Sequence, residues 1–192
     1  IIYFVRHGES ELNAAHVRQG EEGGLSEKGR AQVLETAKKF PHEKGRPQII
    51  WASPMERTRE TAEIIARELG LKIKYTNLLK ERRNPSEIVG KSGDDPAVRL
   101  IADRIDHSFH PDDLRYSDEE NFEDLKHRAK RLLKFIAGRR HKRIVMVTHG
   151  IFLKMVVAYM LHGKNLSASE YNALSFYNPL NNAGLTICLF IP

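Results

Sequence analysis

"IIYFVRHGES", residues 1–10, is an apolar run that breaks off into a cation, an imidazole and a glycine. Ile1 to Val5 reads as a buried strand, since no polar residue interrupts it. It ends at Arg6-His7-Gly8. A second stretch repeats the arrangement far downstream. "RIVMVTHG", residues 143–150, holds an apolar strand over Arg143 to Val147 and leaves it as Thr148-His149-Gly150. If these strands are parallel neighbours, both imidazoles face one crevice. A glycine after each ring allows a sharp turn and a close approach of backbone to a ligand.

Working outward, residues 9–24 are polar and glycine-rich and read as a loop. Ser26 is an N-cap for a helix to Phe40 that turns Val33, Leu34 and Ala37 inward. Pro41 and Pro47 bracket a turn before a short strand over Gln48 to Ala52. Ser53-Pro54 opens the next helix, with Ser53 as the capping hydroxyl and Pro54 in the first turn. Ala62, Ile65, Ala66 and Leu69 give that helix an apolar stripe, and Gly70 ends it. Lys72 to Tyr75 alternates as a third strand. Residues 80–120 form an irregular excursion with one helix over Pro96 to Asp106. From Asn121, the set Phe122, Leu125, Ala129, Leu132, Leu133 and Ile136 marks an amphipathic helix. Ile151 to Leu161 is apolar nearly all round, interrupted by Lys154, and reads as a buried helix. Leu185 to Ile191 is the last strand. Strands alternating with helices predict an α/β fold with a mostly parallel sheet, with ligands bound beyond the carboxyl ends of its strands.

The bulk composition limits what such a fold can do. The chain has 192 residues, 41% of them apolar, enough for one domain with a sizeable core. Its formal net charge of +6 favours anionic partners such as phosphate esters, nucleic acid or acidic membranes. Cys188 is the only cysteine. No internal disulfide can form, and a reducing, cytoplasmic location is expected. No apolar stretch approaches the roughly 18 residues of a membrane helix, so no membrane association is expected. The sequence shows no signal-peptide pattern.

A neutral imidazole is a competent nucleophile near neutral pH. A phosphoryl group under attack carries negative charge on three oxygens and calls for cations and N–H donors aimed at them. Arg6 adjoins His7. Arg57, in "SPMERTRETA" at 53–62, falls in the first turn of a helix, where free N–H groups also favour an anion. The leaving oxygen needs a proton, most simply from a carboxylic acid. Glu9, Glu81 and Glu87 are the candidates, and physical chemistry alone does not choose among them.

"RHGES" at 6–10, "RQGEEGGLSEKGRAQ" at 18–32, "SPMERTRETA" at 53–62 and "VTHG" at 147–150, in this order, resemble the histidine phosphatase superfamily, the phosphoglycerate mutase-like group. The likeness covers about residues 1–81 and 121–191. It implies a three-layer α/β/α sandwich whose last strand runs antiparallel. It implies that His7 is phosphorylated during turnover, that Arg6, Arg57 and His149 form the phosphate pocket with Asn13 and Gln19, and that Glu81 is the proton donor. It implies no cofactor and no metal. After the acid, the mutases of this group carry a tyrosine and a glycine, where this chain has Asn84 and Pro85. That departure favours a phosphatase over a phosphoglycerate mutase-type phosphotransferase. Residues 82–120 are then expected to form a lid within a single domain, with Arg82, Arg83, Ser86 and Lys91 meeting a second anionic group of the substrate. The expected partner is a small phosphorylated molecule or a phosphoprotein. The sequence sets no oligomeric state.

Other signals are weaker. "VGKS" at 89–92 lacks the first glycine of a phosphate-binding loop, since Pro85 stands there. Nine histidines invite a metal reading, but no His-Glu-x-x-His or Cys/His cluster occurs. His107 and His110, with Asp103 and Asp106, decorate a polar helix end. "GRRHKR" at 138–143 follows a helix, where cations are favoured anyway, so no nucleic-acid partner is expected.

Overall fold

The computed structural model describes residues 1–106, 115–177 and 179–189. In chain order the elements are β1 (Ile2–Arg6), α1 (Glu11–Ala14), α2 (Glu27–Ala37), β2 (Ile49–Ala52), α3 (Glu56–Leu69), β3 (Ile73–Tyr75), α4 (Pro96–Asp106), α5 (Phe122–Ala137), β4 (Ile144–Thr148), α6 (Gly150–His162), α7 (Ala168–Tyr177) and β5 (Leu185–Cys188). Short 3-10 turns at Asn77–Leu79 and Ser86–Ile88 lie between β3 and α4.

The strands form one sheet in the order β3-β2-β4-β1-β5. All neighbours are parallel except β1 and β5, which are antiparallel. Because strand side chains alternate, the two faces carry separate cores. Ile2, Phe4, Ile144 and Met146 face one way and pack with residues of α5, α6 and α7. Tyr3, Val5, Val145 and Val147 face the other way and pack with α2 and α3. The chain is therefore a three-layer α/β/α sandwich. Phe4, Val5, Val145, Met146 and Val147 are fully buried, and each such side chain stabilises the fold by about 1.5–3 kcal/mol.

This layering positions the site. The helix α2 that follows β1 lies on one face of the sheet, and the helix α6 that follows β4 lies on the other. β1 and β4 are neighbours. The two connections diverge, so a crevice opens between the carboxyl ends of these strands.

Local readings hold with some corrections. Ser26 caps α2, its Oγ accepting from Gly29 N–H at 3.0 Å. Gly70 ends α3 in the left-handed region at φ 62°. The expected helix over Pro96 to Asp106 is present. The 9–24 stretch is not all loop: Ser10 and Asn13 form a capping box that starts the one-turn helix α1. Leu34 does not face inward; it is 47% exposed. The buried side of α2 is Gly29, Val33, Thr36 and Ala37, with Thr36 Oγ1 donating to Ala183 C=O at 2.8 Å. α7 has no counterpart in the sequence reading. β5 ends at Cys188, and the expected extension to Ile191 falls partly outside the described residues. So do His107, His110 and part of the 82–120 segment. Within that segment, Ile88, Val98 and Ile105 form a small core of their own with Ile101 and Tyr116.

The glycines of the two matched strand ends have a steric use within the fold as well. Neither has a positive φ. A Cβ on Gly8 would lie 2.5 Å from Gly29 O and 2.8 Å from Val33 Cγ2. A Cβ on Gly29 would lie 1.9 Å from Glu9 O. These glycines let the turn after β1 press against the start of α2. Gly29→Ala is predicted to destabilise the protein by about 2 kcal/mol or more, since backbone must move to admit the methyl group. Thermal unfolding should show a Tm lower by about 4–8 °C; an unchanged Tm would mean the contact is not rigid.

Candidate active site

The β1–β4 register sets Arg6 opposite Thr148, and His7 N–H extends the ladder by donating to Thr148 C=O at 3.0 Å. The two imidazoles therefore emerge side by side. Their centroids are 5.1 Å apart with planes at 62°. His7 is 3% exposed and His149 is fully buried.

Hydrogen bonding assigns the His7 tautomer. His7 Nδ1 lies 2.7 Å from Gly8 C=O. A carbonyl only accepts, so Nδ1 carries the proton and the lone pair sits on Nε2. His149 is anchored through its other nitrogen, with Nε2 3.0 Å from Ser53 Oγ. Ser53 Oγ also accepts from Met55 N–H at 3.4 Å. His149 Nδ1 is buried with no protein partner. Ser53 was expected to cap α3. Met55 occupies that position instead, without a side-chain cap bond, and Ser53 orients the ring.

Burial pushes the His7 imidazole down to about 3, the charges of Arg57 and Arg6 adding to it and the Gly8 carbonyl opposing. Burial first, then Arg57, holds His149 well below its ordinary value. Both rings are thus neutral at neutral pH. As pH falls from 6.5 toward 3, the unfolded chain takes up a proton at His7 that the folded one refuses, so stability falls with it. His7→Asn is predicted to flatten the dependence of Tm on pH across this window. An unaltered slope would show that the ring is solvated.

The cations close around the rings. Arg57, in the first turn of α3, is 2% exposed. Its Nη1 donates to Gly20 C=O at 3.0 Å, while Nε is buried and unpartnered. Arg6 Nη1 donates to Leu180 C=O, and its Nε is likewise unpartnered. A Cβ on Gly150 would lie 3.3 Å from Arg6 Nε, so that glycine makes room for the guanidinium. Burial lowers both guanidinium groups from their ordinary value, and the charge of Glu81 opposes it. Unused donors on buried cations are the preparation an anion needs.

The motif around Arg57 holds this assembly together. Thr58 Oγ1 bonds the carbonyls of Ser53 and Met55 at 3.0 and 2.7 Å. Thr61 Oγ1 accepts from Gly8 N–H at 3.3 Å. Glu56 and Glu60 accept from Gly23 and Leu25 N–H, both at 3.0 Å.

A cavity of about 510 Å³ is lined by Arg6, His7, Asn13, Gln19, Arg57 and Glu81, among others. Asn13 and Gln19 are joined through Ser10: Asn13 N–H donates to Ser10 Oγ, which donates to Gln19 Oε1 at 2.9 Å. Of the three candidate acids, only Glu81 lines this space. It follows the Asn77–Leu79 turn, which Thr148 Oγ1 ties to β4 by a 2.7 Å bond to Leu79 C=O. Its carboxylate accepts from Arg82 N–H at 2.9 Å, Phe152 N–H at 2.9 Å and Ile151 N–H at 3.2 Å, so it also caps α6. Glu9 is a staple instead, bonded to Lys28 at 2.9 Å and Ser26 at 3.0 Å. Those two groups hold its carboxyl below the ordinary range. Glu87 is exposed and bonds Tyr116.

The expected specificity set divides. Arg82 is 4% exposed and lines the cavity. Arg83 lines only an adjoining space of about 240 Å³, its Nε donating to Asp118 C=O at 2.6 Å. Ser86 and Lys91 are exposed and line neither space. Ser86 N–H donates to Asp118 at 2.9 Å, which accounts for its turning away. Sequence reasoning missed Arg18, Asn84 and Lys154 on the cavity wall. Lys154 had a signal: it is the one charged side chain before His162 in the apolar run of α6. Arg128 was also missed. It grips the Glu81 turn from α5.

Among the described residues there is no cluster of three or more His, Cys, Asp or Glu side chains that suits a metal ion. Among them, too, no helix is long and apolar enough to cross a membrane.

The sequence pattern of the histidine phosphatase superfamily (branch 1) matches residues 2–190. The chain belongs to this superfamily. Its relatives include phosphatases and mutases. Over 165 residues it is 29% identical to a 6-phosphofructo-2-kinase/fructose-2,6-bisphosphatase of Gallus gallus, covering 83% of this chain but 32% of that protein. The chain thus spans about a third of that relative. Over 168 residues it is 29% identical to a probable phosphoglycerate mutase, GpmB, of Escherichia coli (strain K12 / DH10B), covering 83% and 74% of the two chains. The fold matches a mycobacterial glucosyl-3-phosphoglycerate phosphatase solved with VO3 at a TM-score of 0.73, with 23% identity and 96% and 90% coverage.

Proposed function

We propose that this histidine phosphatase superfamily member hydrolyses phosphomonoesters without a metal, through a phosphohistidine on His7. The observation that carries this reading is the pair of rings, 5.1 Å apart, beside two buried arginines with unpartnered Nε groups. In the proposed reaction, Arg6, Arg57, Asn13 and His149 Nδ1–H hold the non-bridging oxygens, with Gln19 supporting Asn13. The His7 Nε2 lone pair forms a bond to phosphorus while the ester P–O bond breaks. Glu81 gives a proton to the departing oxygen. The Gly8 carbonyl, accepting from Nδ1–H, supports the positive charge that forms on the ring. Water then attacks phosphorus, Glu81 takes back the proton, and the P–N bond breaks to release inorganic phosphate. Electrostatic positioning of this kind accounts for most phosphoryl-transfer catalysis.

Residues 82–120 act as a lid in this reading, and the lone, half-buried Cys188 fits a cytoplasmic enzyme. The 29% identity to a probable mutase supplies the competing reading, transfer of the phosphoryl group between two hydroxyls of one molecule. Asn84 and Pro85 speak against it. A screen of phosphomonoesters in EDTA is the test. Release of inorganic phosphate that persists under chelation is expected. Loss of turnover on chelation overturns metal independence, and an isomerised product without free phosphate favours the mutase.

A further inference from the structure

The bend before β5, from Leu180 to Gly184, is bonded to the pocket at several points. Ala183 takes a left-handed backbone there, at φ 56°, a conformation that surrounding bonds must hold in a residue with a side chain. Its N–H donates to His7 C=O at 3.0 Å, and Gly184 C=O accepts from Arg6 N–H at 3.1 Å. Ala183 C=O accepts from Thr36 Oγ1 at 2.8 Å, and Leu180 C=O takes the Arg6 guanidinium. The bend is thus joined to two residues of the proposed cradle, and its Asn182 side chain meets a third. Asn182 Nδ2 donates to Asn13 Oδ1 at 3.5 Å, across 169 residues of sequence.

Asn13, unlike an arginine, has a right and a wrong end. One arm of its amide carries two N–H donors, and the other is a bare acceptor. Turned one way it binds a phosphate oxygen; turned the other it repels one. What holds the carbonyl arm decides between them. Ser10 N–H, which can only donate, lies 3.4 Å from Oδ1, and Asn182 supplies a second donor to the same oxygen. Both bonds are long, so neither alone holds the amide firmly. The Ser10 bond is local to the capping box of α1, a four-residue helix with no buried residue, too short to be rigid by itself. Asn182 ties the amide to the bend that His7 and Arg6 share. Asn13 lines the cavity, and with Oδ1 engaged from two sides its NH2 group is left for the ligand.

We propose that Asn182 is a positioning residue for phosphate binding: it holds the Asn13 amide with the NH2 group turned toward the phosphoryl oxygens. Asn182 itself is not among the residues that line the cavity. This rests on the phosphate cradle proposed above.

The probe is inorganic phosphate, titrated calorimetrically, so the readout needs no turnover. Asn182→Leu keeps the size and removes the donor. It should weaken phosphate binding about three- to tenfold, against about tenfold or more for Asn13→Ala. Added to Asn13→Ala, Asn182→Leu should change nothing further, because no amide is left to orient. Asn182→Asp keeps the shape but offers only acceptors when ionised, and it is the arm to read should Asn182→Leu fold poorly. It should draw the Asn13 NH2 group away from the cavity and weaken binding more than Asn182→Leu does. Most of that loss should vanish in the Asn13→Ala background. Factors that multiply undiminished through the double variants mean that Asn182 acts on the fold or by charge, and they overturn the proposal. Wild-type affinity in Asn182→Leu overturns it as well. Wild-type protein that binds phosphate but hydrolyses no ester, 4-nitrophenyl phosphate included, overturns the hydrolase reading and leaves this comparison decisive for Asn182. Wild-type protein that binds no phosphate removes the cradle, and the role of Asn182 with it.

Discussion

His7→Ala should abolish phosphate release from every ester, a loss of about 10⁴-fold or more in kcat, as expected when a nucleophile is removed. Its Tm at neutral pH should stay within a few degrees, because the ring is neutral and makes one side-chain bond, to Gly8 C=O. Wild-type protein quenched during turnover should carry a phosphate that is acid-labile and base-stable, mapping to the peptide with His7. His149→Ala is the informative companion. It removes a donor rather than the attacking atom, so it should slow turnover by a smaller factor and still form the labelled intermediate. Label that persists in His7→Ala would transfer the attacking role to another residue and end the proposed mechanism.

How far the sequence could carry this site depends on what each residue's role rests on. His7, His149, Arg6 and Arg57 are legible because strand ends and helix starts fix them. Two apolar runs that end alike become parallel neighbours, and Arg6 falls opposite Thr148. Asn13 was legible only through family resemblance. Its place depends on a capping box that looks like ordinary loop polarity. Ser53 was misread because Ser-Pro is a good helix start locally, while its partner His149 lies 96 residues away. Lys154 was hidden for the opposite reason: a single charge in an apolar helix signals an interruption, not a direction. The glycines were read as allowing a turn and the approach of a ligand, and their steric need within the fold was not seen. No local rule shows that Gly29 will meet Glu9 O. In the 82–120 segment, Arg83 and Ser86 look like Arg82 in sequence. Only tertiary bonds to Asp118 turn them from the cavity.

Glu81→Gln should show a loss that depends on the leaving group. An alkyl ester expels a strongly basic oxygen and needs the proton, so its turnover should fall about 10²–10⁴-fold. 4-Nitrophenyl phosphate expels a stable phenolate, so the first step should survive. With no base to activate water, the second step should stall, giving a burst of nitrophenolate followed by slow turnover. Arg128 links this chemistry to the scaffold. From α5 its Nη1 donates to Lys80 C=O at 2.5 Å and Leu78 C=O at 3.4 Å, and Nη2 to Glu81 C=O at 3.3 Å. Glu120 grips the same guanidinium at 2.9 and 2.8 Å, and the Phe152 ring lies 3.9 Å beneath it. Three carbonyls of the turn that carries the carboxylate thus hang on one side chain. Arg128→Met should therefore reproduce the Glu81 pattern in weaker form, with alkyl turnover falling more than the aryl burst, and Arg128→Lys should recover part of it. A merely structural role would depress both esters equally. That outcome would separate Arg128 from the acid, and the same uniform loss in Glu81→Gln would remove the acid assignment itself.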